Sequence, residues 1–355
     1  MGAVSLTLAM NPYDRVRPLI DGEVRIEGVE LDYVGFPGGV DVFYDQLKFN
    51  RYDVSEMSIS SFFRARQQGW GYRMLPVLHN RNFYYTQILI RRGSGIRQDH
   101  PEDLLGKRVG VADYQQSAAL WTRGILQHEF NVQPRDMIWY MERAERFSHG
   151  GASKFTPPEG VEFHYATTDL GTMFQRGELD AAVTYLSGSS MDRPKANLRD
   201  HPDYGLLFQD PEAEGLRYFL AHGVFPPQHT TVIRDSVVRE HPWIARVMVQ
   251  AFERSKKLAL ERVYRQPPSL VAFAWAALRR QRAVMGDDPY PYGLRANARA
   301  IDMVQTFSVE QGLTPRKQPW TEVFPDEVLV MEDVESAEQV LAAPTDGRLV
   351  SAGAA

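Results

Sequence analysis

The chain contains no cysteine. That absence excludes disulfides, a thiolate nucleophile and any metal site built on thiolates. No apolar run reaches the roughly 18–20 residues a helix needs to span a bilayer. Positive charge is not in excess either: 40 Lys and Arg face 45 Asp and Glu, for a net charge of -5. With no basic cluster to reverse that balance, a general nucleic-acid role is not expected. The opening residues "MGAVSLTLAMNPYDR" show no basic segment, long apolar segment or cleavage site. "VSLTLAM" reads as a strand that begins at once, so the expected location is the cytoplasm. The P-loop, HExxH, GxSxG and strand-linked GxGxxG signatures are missing too, and "GSG" at 93–95 reads as a plain turn.

What is present is ordinary in bulk and organised in sequence. A chain of 355 residues exceeds what one core usually holds, which points to two lobes. Strand and helix signals alternate through the first 235 residues, the pattern of an α/β protein. "VSLTLAM", "VELDYV", "YDVSEMSIS", "YRMLPVLHN", "YYTQILIRR" and "KRVGVA" read as strands. "DVFYDQLKFN" and "YQQSAALWTRGILQHEF" have helical spacing. After residue 235 the pattern turns helical, and the end of the chain, from 326 on, reads as an extension with a loose tail.

Residues 84–92 and 218–234 look like extended crossings between lobes. They divide the chain into lobe 1 (1–92 plus 224–325) and lobe 2 (93–223), with a ligand cleft between. Strand C-termini and helix N-termini face such clefts in open α/β sheets.

Several residues are placed to act there. "ADYQQSAA" follows a strand and opens a helix, so its free N–H groups, with Gln115, Gln116 and Ser117, suit an anionic oxygen. An ordinary capped helix start explains the same residues equally well. "EMSISS" sets Glu56, Ser58 and Ser60 on one face of a strand end, for a polar ligand or for a helix cap. Arg15 follows the first strand and can fork onto a carboxylate, although exposed loop arginines are common. His229 sits where the stiff Pro226-Pro227 pair enters the β-branched run "TTVI". An imidazole titrating near about 6.5 can move a proton at working pH. His222, seven residues earlier, would face the opposite side of a regular strand. His100, His128, His149, His201 and His241 read as surface residues, and no metal set is evident.

"YDRVRPL", "RYDVSEMSISS", "DLLGKRVGVADYQQSAALWTRGIL", "GELDAAVT", "GVFPPQHTTVIR", "HPWIARVMVQAF" and "DPYPYGLRAN" occur in order up to about residue 313. In this combination the chain resembles the 4,5-dihydroxyphthalate decarboxylase family. The resemblance implies an α/β, two-lobed, periplasmic-binding-protein-like fold used by an enzyme. It also implies non-oxidative loss of carboxylate from a hydroxylated aromatic acid, with no organic cofactor; a divalent metal and a homo-oligomer stay open. The matching positions are Arg15, Glu56, Ser58, Arg81, Tyr114, Gln115, Trp121, Arg123 and His229.

Two segments depart from the family pattern. It carries Arg-His where this chain has Tyr84 and Tyr85, and an arginine near Leu186. Lost cations suggest a substrate with fewer negative charges, stacked on tyrosine. The assignment that follows makes His229 the proton donor, with Glu56 holding a ring hydroxyl and Arg81 orienting the substrate. Arg15, Ser58, Tyr84, Tyr85, Tyr114, Gln115, Ser117 and Arg123 bind the small aromatic carboxylate. The competing reading is a transporter's solute-binding protein.

Overall fold

The computed structural model describes residues 2–35, 42–145, 148–183, 201–332 and 334–342. Leu186 lies outside the described residues. The strands are β1 (Val4–Ala9), β2 (Val29–Tyr33), β3 (Val54–Ser58), β4 (Tyr72–Arg81), β5 (Leu89–Arg91) and β6 (Arg108–Val111). They continue as β7 (Ile138–Met141), β8 (Glu162–Tyr165), β9 (Ala181–Val183), β10 (Tyr204–Leu206) and β11 (Pro227–Arg234). Two sheets result, in the orders β2-β1-β3-β11-β4 and β10-β5-β9-β6-β7-β8.

The first sheet takes its strands from the start of the chain and from β11, so the chain leaves it after β4 and returns after the second sheet is built. β11 inserts antiparallel between β3 and β4. Its β-branched residues Thr230, Thr231, Val232 and Ile233 are all fully buried, which explains why this run takes a central place in the sheet. The register sets His229 opposite both Ser58 and His79, and Thr231 opposite Glu56. Because side chains alternate, these polar residues share one face of the sheet.

β4 contains Pro76, which cannot donate to the ladder, and the pairing of β4 with β11 shifts register there. The Pro76 carbonyl instead accepts the Gly293 N–H at 2.8 Å, which docks the loop carrying Tyr290 and Tyr292. The two sheets are joined by a continuous apolar core that includes Leu8 and Val54 from one and Val109 and Trp139 from the other. Trp121, on the helix Ser117–Phe130, donates its indole N–H to the Pro227 carbonyl at 2.8 Å. No helix among the described residues is long and apolar enough to cross a membrane.

Two local expectations are corrected. Residues 84–92 are not one strand: Tyr84–Gln87 form a 3-10 turn, tied by Thr86 to the Phe83 carbonyl, and only Leu89–Arg91 are extended. β5 pairs with β9 and β10, so it belongs to the second sheet rather than to lobe 1. Within the C-terminal extension from 326, Asp326–Met331 and Val334–Ala342 are helices that bury Val328 and Ala337 in the core, and the loose tail expected at the end of the chain lies outside the described residues.

Gly124 lets the helix Ser117–Phe130 meet Leu294–Glu310, since a Cβ there would fall 2.2 Å from the buried Phe307 ring. Gly124→Ala should therefore destabilise the protein by about 1–3 kcal/mol, read as a lowered urea midpoint with an unchanged slope.

Candidate functional site

Glu56, on β3, is fully buried. A lone carboxylate there would be strongly disfavoured, and the protein meets it with four donors. Oε1 accepts from the Tyr13 hydroxyl and from His229 Nδ1, both at 2.6 Å. Oε2 accepts the Asn11 backbone N–H at 2.9 Å and its side-chain amide at 3.0 Å. Burial pushes the Glu56 pKa up, but the His229 hydrogen bond and charge and the Tyr13 hydroxyl outweigh it and bring it down to about 2. Glu56 is thus an ionised acceptor. It requires the proton on His229 Nδ1, which leaves Nε2 as the nitrogen that no hydrogen bond holds among the described residues. The His229 side chain is 18% exposed, so Nε2 can meet a ligand.

Beside this pair lies a stack of rings and cations. The Tyr13 ring lies parallel to His79, with centroids 5.5 Å apart. The Arg15 guanidinium sits 4.4 Å from the Tyr13 ring centre and 4.5 Å from that of Tyr290. His79 Nε2 meets the Thr231 hydroxyl at 2.9 Å. Burial, opposed by Glu56 and reinforced by Arg15, lowers the His79 pKa to about 3, so this imidazole is neutral. Arg81 is held on protein carbonyls: Nη1 donates to Phe225 O at 3.0 Å, and Nη2 to Pro291 O at 3.0 Å and Asn297 Oδ1 at 2.5 Å. Burial lowers its pKa to about 10, which leaves it charged at neutral pH. The loop behind Tyr290 and Tyr292 is pinned by Lys256, which donates to Asp288 and lies over the Tyr292 ring.

The second sheet closes on this site through hydroxyls. Ser117 Oγ lies 2.8 Å from Ser58 Oγ and accepts the Ser60 N–H at 3.0 Å. Gln115 donates to Ser61 Oγ at 3.3 Å and accepts from Ser153 Oγ at 2.8 Å. His149, expected at the surface, is instead buried: its Nδ1 meets Ser61 Oγ at 3.0 Å and its backbone N–H donates to Asp113. Phe43 touches both imidazoles edge-on, with ring centres 4.8 Å from His229 and 5.5 Å from His149.

Arg15, Glu56, Ser58, Arg81, Gln115, Ser117 and His229 are thus brought to one region. Other candidates point elsewhere. Arg123 is fully buried, with Nε on Gln311, Nη2 on the Tyr114 carbonyl and its plane over the Tyr114 ring. Tyr114 itself packs among Trp139, Phe155 and Phe163. Tyr85 is buried against Phe208 and Tyr218 and donates to Glu214 at 2.8 Å, while Tyr84 donates to Asn80 at 3.3 Å. Among the described residues, no three His, Cys, Asp or Glu side chains converge as metal ligands.

Known proteins were compared with the chain. No family model matches it. A 4,5-dihydroxyphthalate decarboxylase of Comamonas testosteroni is 31% identical over 329 residues, covering 91% of this chain and 97% of the relative. The chain belongs to the 4,5-dihydroxyphthalate decarboxylase family. A second protein of that name, from Pseudomonas putida, is 30% identical over 224 residues, covering 62% of this chain and 83% of the relative. Among solved structures, the periplasmic aliphatic sulphonate binding protein SsuA of Escherichia coli superposes with a TM-score of 0.53 at 13% identity, covering 93% and 100% of the two chains. The periplasmic sulfonate-binding protein SsuA of Methylobacillus flagellatus gives 0.51 at 11%, covering 95% and 96%. This 4,5-dihydroxyphthalate decarboxylase family member therefore has a periplasmic-binding-protein-like α/β fold.

Sequence reasoning missed Tyr13, Asn11, His79, Tyr290 and Tyr292. Each stands in or beside a segment that drew notice, such as "NPYDR" or "DPYPYG", but nothing in the spacing reveals which rings face a distant carboxylate.

His79 gives a signature in the acid range. Its pKa is depressed on folding, so the unfolded chain binds the extra proton and stability falls as pH drops from about 6.5 toward about 3. A folded His79→Gln variant should show a flatter dependence of unfolding free energy on pH across that window, measured by urea titration at several pH values.

Proposed function

We propose that this family member is a carboxy-lyase that removes CO2 from a hydroxylated aromatic acid in the cleft between the sheets, without an organic cofactor. The observation that carries the reading is the Glu56–His229 pair. It consists of a buried, ionised carboxylate on Nδ1 and an unengaged Nε2 on a ring that is partly exposed. The names of the relatives, both 4,5-dihydroxyphthalate decarboxylases, support the reaction class.

In this mechanism the protonated His229 donates from Nε2 to the ring carbon that bears the carboxylate. A ring hydroxyl passes its proton to water, pushes electron density toward that carbon, and regains a proton from water once CO2 has left. The bond to the carboxylate then breaks, its electron pair restores the aromatic ring, and CO2 leaves. Glu56 stabilises the imidazolium before transfer and holds the ring in orientation. Both of its oxygens already hold donors, so Glu56 acts through His229 rather than on a ring hydroxyl. Arg15 orients the carboxylate, Arg81 adds positive potential behind it, and the Ser58–Ser117 contact draws the two sheets together over the site.

The solute-binding alternative is favoured by one observation, the shared fold with sulphonate-binding proteins. CO2 release from a panel of hydroxylated aromatic mono- and dicarboxylates separates the two, since a pure binder retains ligand and yields no product. His229→Gln should lower kcat by about 10²- to 10⁴-fold while affinity for an unreactive aromatic acid changes little. A correctly folded His229→Gln protein with full turnover excludes the donor role.

A further inference from the structure

We infer that Tyr13 is a positioning residue that tunes His229 as a proton donor. It shares one carboxylate oxygen of Glu56 with His229, and so limits how firmly Glu56 holds the imidazolium. The consequence for turnover rests on the decarboxylase reading above; the effect on the imidazole does not.

Two donors meet on a single oxygen. The Tyr13 hydroxyl and His229 Nδ1 each donate to Glu56 Oε1 at 2.6 Å, while Asn11 serves Oε2. Hydrogen bonds of this length to a charged acceptor are strong, and both draw on the negative charge of the same atom. The imidazolium therefore faces a carboxylate already partly neutralised by a phenol. Burial and the Glu56 charge raise the Tyr13 pKa, so the phenol keeps its proton and serves as a donor. The same hydrogen bond helps to keep Glu56 ionised.

The phenol is also held in place. Its ring lies parallel to His79, with centroids 5.5 Å apart, and the Arg15 guanidinium sits 4.4 Å from its centre. The Asn11 amide stands 3.5 Å from the phenol oxygen and donates to Oε2 at 3.0 Å, which ties both partners of Glu56 on this side together. The charged and titratable groups around His229 are Glu56 on β3, His79 and Arg81 on β4, Tyr13 and Arg15 after β1, and His149 across Phe43. His79 is neutral, and Arg81 is bound to the Phe225 and Pro291 carbonyls and to Asn297. Loss of the Tyr13 hydroxyl leaves all these charges in place and changes the share of Oε1 that His229 receives.

Tyr13→Phe keeps the ring beside His79 and Arg15 and removes the shared donor. Glu56 should then hold the imidazolium more firmly, and the His229 titration midpoint should move to higher pH by about 0.5–1 unit. NMR of the intact protein with isotopically labelled histidine reads this, and His229→Gln assigns the resonance. During turnover of 4,5-dihydroxyphthalate, the alkaline limb of kcat/KM should move the same way and the plateau kcat should fall severalfold, with KM little changed. Incorporation of 3-fluorotyrosine in place of Tyr13, a more acidic phenol with the same contacts, should shift the midpoint to lower pH. An unmoved or lowered midpoint in folded Tyr13→Phe protein overturns the proposal and leaves Tyr13 a packing residue. Where Tyr13→Phe does not fold, an unmoved or raised midpoint with 3-fluorotyrosine does so. Midpoints that move as expected, with no CO2 from any hydroxylated aromatic acid, sink the decarboxylase reading and leave the role of Tyr13 toward His229 standing.

Discussion

One buried negative charge organises this molecule. Glu56 is fully enclosed in the centre of the first sheet, where an uncompensated carboxylate would be intolerable. Its compensation comes from three residues on two separate stretches of chain: Asn11 and Tyr13 after β1, and His229 on β11. For all three to reach the same two oxygens, the returning strand must insert between β3 and β4 in one register only. A slip by one residue would turn His229 to the other face and put Gln228 or Thr230 in its place, leaving the carboxylate without its imidazole. The charge and the topology therefore constrain each other.

The cation beside it is organised differently. Arg15 is held between ring faces, with Asp14 3.6 Å from Nη1, and one of those rings, Tyr290, comes from a loop more than 200 residues away. That loop is anchored twice, by the carbonyl that Pro76 presents in β4 and by the buried Lys256 on Asp288. A proline that weakens a strand locally thus supplies an acceptor for the segment that completes the site. Contacts from the second sheet are of another kind again: Ser58, Ser60 and Ser117 meet through hydroxyl and backbone groups, and Trp121 reaches the Pro227 carbonyl. Such neutral contacts join two sheets without placing further charge over the site.

How much of this could be read beforehand depends on how local each signal is. His229 was legible because a titratable ring stood alone between a rigid proline pair and a β-branched run. Ser117 was legible because a helix start follows a strand. Arg123 and Tyr85 read as ligand-facing from resemblance alone, yet their partners, Gln311 and Glu214, lie far along the chain and take them into packing. His149 sits in a segment with no apolar periodicity, so its burial against Ser61 left no trace in spacing. The helices at 326–342 were not assigned beforehand because the cover that Val328 and Ala337 find is built by helices elsewhere in the chain.

The sequence by itself determined the alternating α/β order, the switch to helices after residue 235, the absence of thiol chemistry and the family motifs. All of these are local composition or short-range pattern. Only the tertiary structure decided that Glu56 and His229 share a hydrogen bond, that Tyr13 and Tyr290 enclose Arg15, and that Arg81 turns its terminal nitrogens to carbonyls. Those outcomes depend on strand order, register and loop docking between residues far apart in the chain. Side-chain partners at such separations are set by where the backbone returns, which no short-range pattern encodes.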